Sequence, residues 1–202
     1  MSLLDRLLGS GDDEAEARIE AAQDAADDAM DARVDADAHG LAEFGMTGVA
    51  VVNEGPDDEP VTVPIARFSL GEDVESLDRE RVWPLVATAV EAMHDAFERE
   101  GVFVRHYDVQ FGFGGAGLFE AEECRRVALP PDIVGEFVAD PDFDSERLRE
   151  VMNREDDIDD AIAPVAWGEC EDYSTGSDAA VVTTAAVSAS AASCGAAGGG
   201  GC

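Results

Sequence analysis

The stretch "VFVRHYDVQFGF", residues 102–113, decides the fold class. Within it Tyr107, Val109, Phe111 and Phe113 alternate with His106, Asp108, Gln110 and Gly112. A period of two belongs to a β-strand, whose successive side chains point to opposite faces. One face is apolar and the other polar, which predicts a half-buried strand with the polar side chains in solvent. Just upstream, Trp83, Val86, Val90, Met93 and Phe97 step by 3 and 4 residues, one stripe of an α-helix. Pro84 is tolerated only in a first turn, so the regular helix should begin near Arg81, and Gly101 should end it. The stripe is broad enough to cover a sheet.

Working outward, "GVAVVN" (residues 48–53) and "VTVPIARFSL" (residues 61–70) read as strands separated by the loop "EGPDDEP". Pro64 has no N–H for a ladder, which predicts an edge position for the second of these strands. After "GGAG", residues 118–128 could be helix or return strand, with helix the favoured reading. Pro131 opens a helix carrying Ile133, Val134, Phe137 and Val138 on one face, and Pro141 closes it. Ser145 caps a further short helix that turns Leu148, Val151 and Met152 inward. "APVAWGEC", residues 163–170, reads as a last strand. Strands and helices mix without strict β-α-β alternation, so the expected class is α+β: a small, mainly antiparallel sheet covered by helices.

Both flanks differ from this centre. Leu3 and Leu7, and Leu4 and Leu8, are spaced to share a helical face, and Gly9-Ser10-Gly11 should stop that helix. Residues 12–38 form an acidic, Ala-rich helix candidate with a thin stripe of Ile19, Ala22, Ala26, Met30 and Val34, ended by Gly40. From Ser174 onward the only charged side chain is Asp178, and Ala, Ser, Thr, Gly and Val dominate. Such composition lacks the bulk for a core and predicts a disordered tail. The expected layout is a helical segment at 1–40, a globular domain at 41–173 and a flexible tail at 174–202.

The chain carries 46 acidic and 13 basic residues, a net charge of −33, and every basic residue is Arg. With 46% hydrophobic residues and nine Phe it can still bury a core. In composition it resembles the cytosolic proteins of salt-in extreme halophiles. At 1 M salt the Debye length is about 3 Å, so crowded carboxylates repel each other weakly, whereas in dilute buffer they oppose compaction. Nucleic acid is not an expected partner, because binding it needs a basic face and Arg125-Arg126 is the only adjacent pair. The opening residues lack the apolar run of a signal peptide, and no stretch of about 20 strongly apolar residues occurs. A cytoplasmic location is therefore expected, with the four cysteines mostly reduced.

Few places offer chemistry. "GFGGAG" places Gly112, Gly114 and Gly117 as G-x-G-x-x-G, but no second parallel strand with an acidic end follows, so a glycine-rich turn is the better reading. His106 and Asp108 share a strand face and His94 lies on the preceding helix, a possible polar site. Nothing completes a catalytic set around them. "REDDIDDAI", residues 154–162, lacks the glycine a Ca²⁺ loop needs and reads as a solvated acidic segment. Cys124 reads as a small buried apolar residue, and Cys170 stands between two Glu that disfavour its thiolate. Cys194 and Cys202 are possible reactive thiols in the tail, without zinc-site spacing.

No catalytic, cofactor or metal site is expected. The expected function is a non-catalytic, salt-adapted, acidic cytosolic protein, an adaptor or regulator acting through protein contacts or self-association. Its docking face would be Leu3, Leu4, Leu7 and Leu8, and its tail would carry thiols. Membrane-surface docking through residues 1–8 is the weaker expectation, since anchors use several Lys or Arg and only Arg6 is present. The alternative is a precursor of a ribosomally made, modified peptide, or a thiol-metal carrier. Thr183, Thr184, Ser188, Ser190, Ser193, Cys194 and Cys202 are the residue types that dehydration and thioether chemistry use.

Overall fold

The stripe from Trp83 to Phe97 forms the centre of the core. In the structure, a computed structural model describing residues 3–56, 59–114, 123–155, 167–170, 173 and 180–182, it belongs to helix α3 (Trp83–Glu100). Pro84 lies in the first turn, and Gly101 adopts the left-handed conformation (φ 65°) that closes the helix. Leu85, Ala87, Ala89, Ala92 and Ala96 are buried together with the predicted stripe. A helix apolar on more than one side needs more than one cover. The second cover is helix α1 (Leu3–Arg33), whose Ile19, Ala22, Ala26 and Met30 are buried in the same core cluster. The small Ala22 and Ala26 side chains permit close approach of the two helix axes.

Helix α1 is continuous through Gly9-Ser10-Gly11, which corrects the expected stop there. A mid-helix glycine costs only about 1 kcal/mol relative to alanine, and a long helix spreads its nucleation cost over many turns. The predicted end at Gly40 is reached by a separate turn, α2 (Ala36–His39), with the Asp35 carboxylate accepting from Ala38 N–H at 3.0 Å.

Six strands form the sheet, one of them the strand predicted from residues 102–113. They are β1 (Glu43–Glu54), β2 (Pro60–Ser69), β3 (Tyr107–Phe113), β4 (Glu123–Leu129), β5 (Gly168–Glu169) and β6 (Ala180–Val182). The sheet order is β5-β4-β3-β2-β1-β6, with β2–β3 parallel and the other pairs antiparallel. Helices α4 (Pro131–Ala139) and α5 (Ser145–Glu155) pack with α3 on one face, where Val134, Leu148 and Met152 are buried. The protein is therefore α+β.

Three further expectations are corrected. The strand containing Pro64 lies inside the sheet, not at its edge. Thr62 N–H donates to the Phe103 carbonyl at 2.9 Å, and Arg105 N–H to the Thr62 carbonyl at 2.8 Å, so Thr62 turns its backbone polar groups toward that neighbour. Pro64, two residues on, turns the same way. There the neighbouring chain runs from Val104 to Asp108 while β2 runs only from Thr62 to Ile65. The missing N–H thus falls at an irregularity, where proline is tolerated in a sheet. Second, residues 123–129 are strand β4, not helix; residues 118–122 lie outside the described residues. Third, three residues of the expected tail, Ala180–Val182, form β6, whose Val181 pairs with Ala50 of β1; residues 174–179 and 183–202 lie outside the described residues. Three residues of β-branched and small side chain are enough to add to an exposed edge when the sheet supplies the template.

Candidate functional site

Strand β3 is buried on both faces, and this is the main departure from the sequence reading. Tyr107, Val109 and Phe111 turn toward the helices; Tyr107 O–H lies 2.9 Å from His94 Nδ1, and Phe111 packs at 6.4 Å from the Trp167 ring. His106, Asp108 and Gln110 occupy the other face with 8%, 0% and 7% exposure. That face was expected in solvent. It is instead covered, and cross-strand pairing explains its composition. Partners directly opposite share a face, so Asp108 lies between Ile65 of β2 and Ala128 of β4, and Gln110 lies between Arg67 and Arg126.

The diagonal neighbour Arg126 reaches back to Asp108: its Nη1 donates to Asp108 Oδ2 at 3.1 Å. Tyr173 lies over both. Its O–H donates to Asp108 Oδ2 at 2.8 Å, and Arg126 Nη1 donates to the Tyr173 oxygen at 2.7 Å. His106 Nε2 is 3.1 Å from the same oxygen. A phenol has one proton to donate and two lone pairs. The proton goes to Asp108 and one lone pair accepts from Arg126, so the remaining lone pair accepts from His106 Nε2–H. This assigns the Nε2–H tautomer and leaves His106 Nδ1 as a bare acceptor, buried without a hydrogen-bond partner. The ring is held neutral, with its pKa lowered to about 4, first by burial and then by the positive charges of Arg126 and Arg105.

Burial also pushes Asp108 above the usual carboxylate value. The Arg126 charge opposes this, followed by hydrogen bonds from Tyr173 and Arg126, with Gln110 the weakest contributor. Asp108 Oδ1 has no hydrogen bond of regular geometry. A buried ion pair of this kind contributes little net stability, yet loss of either partner leaves a costly buried charge.

The structure brings together two of the three residues expected at a polar site. His106 and Asp108 share Tyr173, but they are not a His–carboxylate dyad, because the phenol stands between them. His94 is on the opposite side of the sheet, joined to Tyr107 and 3.5 Å from Glu98. Arg126 and Tyr173 were not singled out from sequence. Had residues 123–129 been read as a strand, alternation would have placed Arg126 on the face opposite Val127 and Leu129. Nothing local points to Tyr173. The groups as arranged can hold and release protons and present a guanidinium; no nucleophile accompanies them among the described residues. An open groove of about 400 Å³ lies farther along the sheet, lined by Glu43, Gly45, Thr47, Arg67 and Ser69 among others.

Cys124 and Cys170 form a disulfide, with Cα atoms 5.5 Å apart, which corrects both their reading as separate thiols and the expectation of four reduced cysteines. The register explains it. Arg126 pairs with Gly168 across β4–β5, so continuing the antiparallel ladder sets Cys124 opposite Cys170, within bridging distance. Their separation of 46 residues hides this in the sequence. The glycine motif loses its remaining context, since β4 returns antiparallel beside β3. Residues 115–122, carrying Gly117, and residues 156–162 of the acidic run lie outside the described residues, as do Cys194 and Cys202. Leu3, Leu4, Leu7 and Leu8 fall in the first turns of α1. Among the described residues no group of three His, Cys, Asp or Glu could hold a metal ion, and no helix is long and apolar enough to cross a membrane. No protein-family model, no curated protein and no solved structure matches the chain.

Proposed function

We propose that the protein is a non-catalytic cytosolic adaptor or regulator, adapted to high salt, that binds a protein partner through the leading end of α1. One observation carries this reading. Among the residues of α1 whose side chains are described, from Asp13 on, Ile19 is the first buried one, and the helix backbone extends unbroken from Leu3. At about 1.5 Å per residue, the leucine cluster at 3, 4, 7 and 8 stands more than a helical turn beyond Ile19. Leucines at this i, i+4 spacing on one helix are of the kind that partner helices and grooves take up. The rest of α1 is committed to α3, so its alanine stripe is not part of the docking face.

The test is site-specific photo-crosslinking in cells of the natural host. A crosslinker replacing Leu7 should give one discrete adduct, and Leu4→Asp with Leu8→Asp should abolish it without changing the melting temperature. A crosslinker replacing exposed Glu16 serves as control. The same adduct pattern from both positions would overturn the reading.

A further inference from the structure

Tyr173 and Trp167, six residues apart in the chain, lie on opposite faces of the sheet. Upstream, Trp167 lies on the helical face, edge-on to Trp83 at 5.9 Å and beneath the Arg79 guanidinium at 5.4 Å. Gly168 and Glu169 then make the only β5 pairs, with Arg126 and Arg125. Cys170 is bonded to Cys124 of β4, and three residues later Tyr173 lies on the opposite face of the sheet from Trp167. A two-residue strand is a weak hold. The disulfide is thus the strongest described hold on the chain between Trp167 and Tyr173.

We propose that Cys124–Cys170 is a redox-operated latch: closed, it keeps Tyr173 over Asp108, Arg126 and His106; opened, it frees Tyr173 and uncovers that cluster. The geometry gives the two states different partners. Latched, the phenol satisfies Asp108 Oδ2, Arg126 Nη1 and His106 Nε2 together. Unlatched, those groups turn to water, and the guanidinium and imidazole become accessible from this face. The opening reaction is thiol–disulfide exchange with a small thiol of the glutathione class. The Cys124–Cys170 bond gains two electrons and two protons, and two glutathione thiols become one glutathione disulfide. Disulfides that operate in a reducing compartment are of this reversible kind. The latch is independent of the α1 contact and can fail or hold without it.

The experiment uses the full chain carrying Cys194→Ser and Cys202→Ser, so that only the latch cysteines remain, in molar KCl. It is equilibrated with glutathione at oxidising and at cytosolic, strongly reducing ratios. The His106 ring signals are followed by NMR through a pH titration, with tryptophan emission recorded in parallel. In the oxidised protein His106 should titrate near 4. In reducing buffer the bond should open, the His106 midpoint should rise toward 6.5, and emission from Trp83 and Trp167 should stay unchanged. The groups facing His106 are Arg126, Arg105, Asp108 and Tyr173, and only Tyr173 is released, so the rise measures its departure and is matched against Tyr173→Ala. Tyr173→Ala with the disulfide intact should reproduce the rise, which keeps the test independent of cysteine replacement. Three results would overturn the latch. They are a bond that resists reducing glutathione, a bond that opens without moving His106, and an opening that red-shifts both tryptophans, marking a structural staple whose loss unfolds the domain.

Discussion

His106 owes its neutrality first to burial and then to the charges of Arg126 and Arg105, and the direction of its two nitrogens agrees with this. Nε2–H is spent on Tyr173, and a second proton would have to go on buried Nδ1, which faces no acceptor. In the unfolded chain the imidazole takes a proton near 6.5, and in the folded protein only near 4. Between these values the unfolded state holds more protons, so this group's contribution is full above 6.5 and lost as the pH falls toward 4. The span corresponds to about 3 kcal/mol. Asp108, whose pKa is raised, acts with the opposite sign above the ordinary carboxylate value. Urea unfolding at several pH values, in wild type and His106→Gln, should therefore show a stability slope through this window that is shallower by one proton in the variant. Equal slopes would show that His106 is solvated.

The ion pair allows a sharper test at the same scale. Arg126→Met alone strands Asp108 at 0% exposure and should destabilise the fold by about 3–5 kcal/mol. Asp108→Leu together with Arg126→Met removes both charges and should recover most of that loss. Such recovery would show that the pair is not retained for stability, which is the condition for a site that serves something else. A double variant as unstable as the single one would make the pair structural.

At the scale of elements, the joint between α1, α3 and β1 is the most demanding. Val90 of α3 is fully buried, whereas Glu91 reaches Arg33 of α1 at 3.5 Å with about half its surface exposed. Val90→Asp should unfold the domain, since an unpaired buried carboxylate costs several kcal/mol against a total stability of about 5–15 kcal/mol. Glu91→Gln should change stability by about 0.5 kcal/mol or less. Similar melting curves for the two would place the helix face wrongly. At β1, Asp27 of α1 accepts from Met46 N–H at 2.7 Å, and a Cβ at Gly45 (φ 144°) would come within 2.8 Å of the same carboxylate oxygen. Gly45→Ala should destabilise by about 1–3 kcal/mol through strain and displacement of that bond. Thermal melting beside Asp27→Ala checks it: the two losses should overlap rather than add, because they break one joint.

For the whole molecule the governing quantity is the net charge of −33. Arg18, Arg33, Arg147, Arg149 and Arg154 each meet acidic side chains, but these pairs are exposed or nearly so and weak individually. They leave most carboxylates unpaired by arithmetic alone, with 13 basic residues against 46 acidic ones. Folding should therefore require molar KCl, where screening shortens the Debye length to about 3 Å. Circular dichroism melts across a salt series check this; an unchanged cooperative melt in dilute buffer would refute the salt-adapted reading.

The sequence by itself determined the elements whose periodicity is local and strong. The stripe from Trp83 to Phe97, the first-turn Pro84 and the Gly101 cap, the alternation from Tyr107 to Phe113 and the helices opened by Pro131 and Ser145 are all present as spacing. They suffice for α+β because a helix stripe and a strand face must bury against each other. Partnership across the sheet was decided only by tertiary structure. A polar strand face looks the same in sequence whether water or Tyr173 covers it, and the cover comes from 65 residues away in the chain. Pro64 reads as an edge residue until the neighbouring strand supplies an irregularity beside it. Cys124 and Cys170 read as unrelated thiols until β4 and β5 align them. Local spacing encodes which face a side chain takes, but what meets that face is fixed by strand order and register, which depend on contacts distant along the chain.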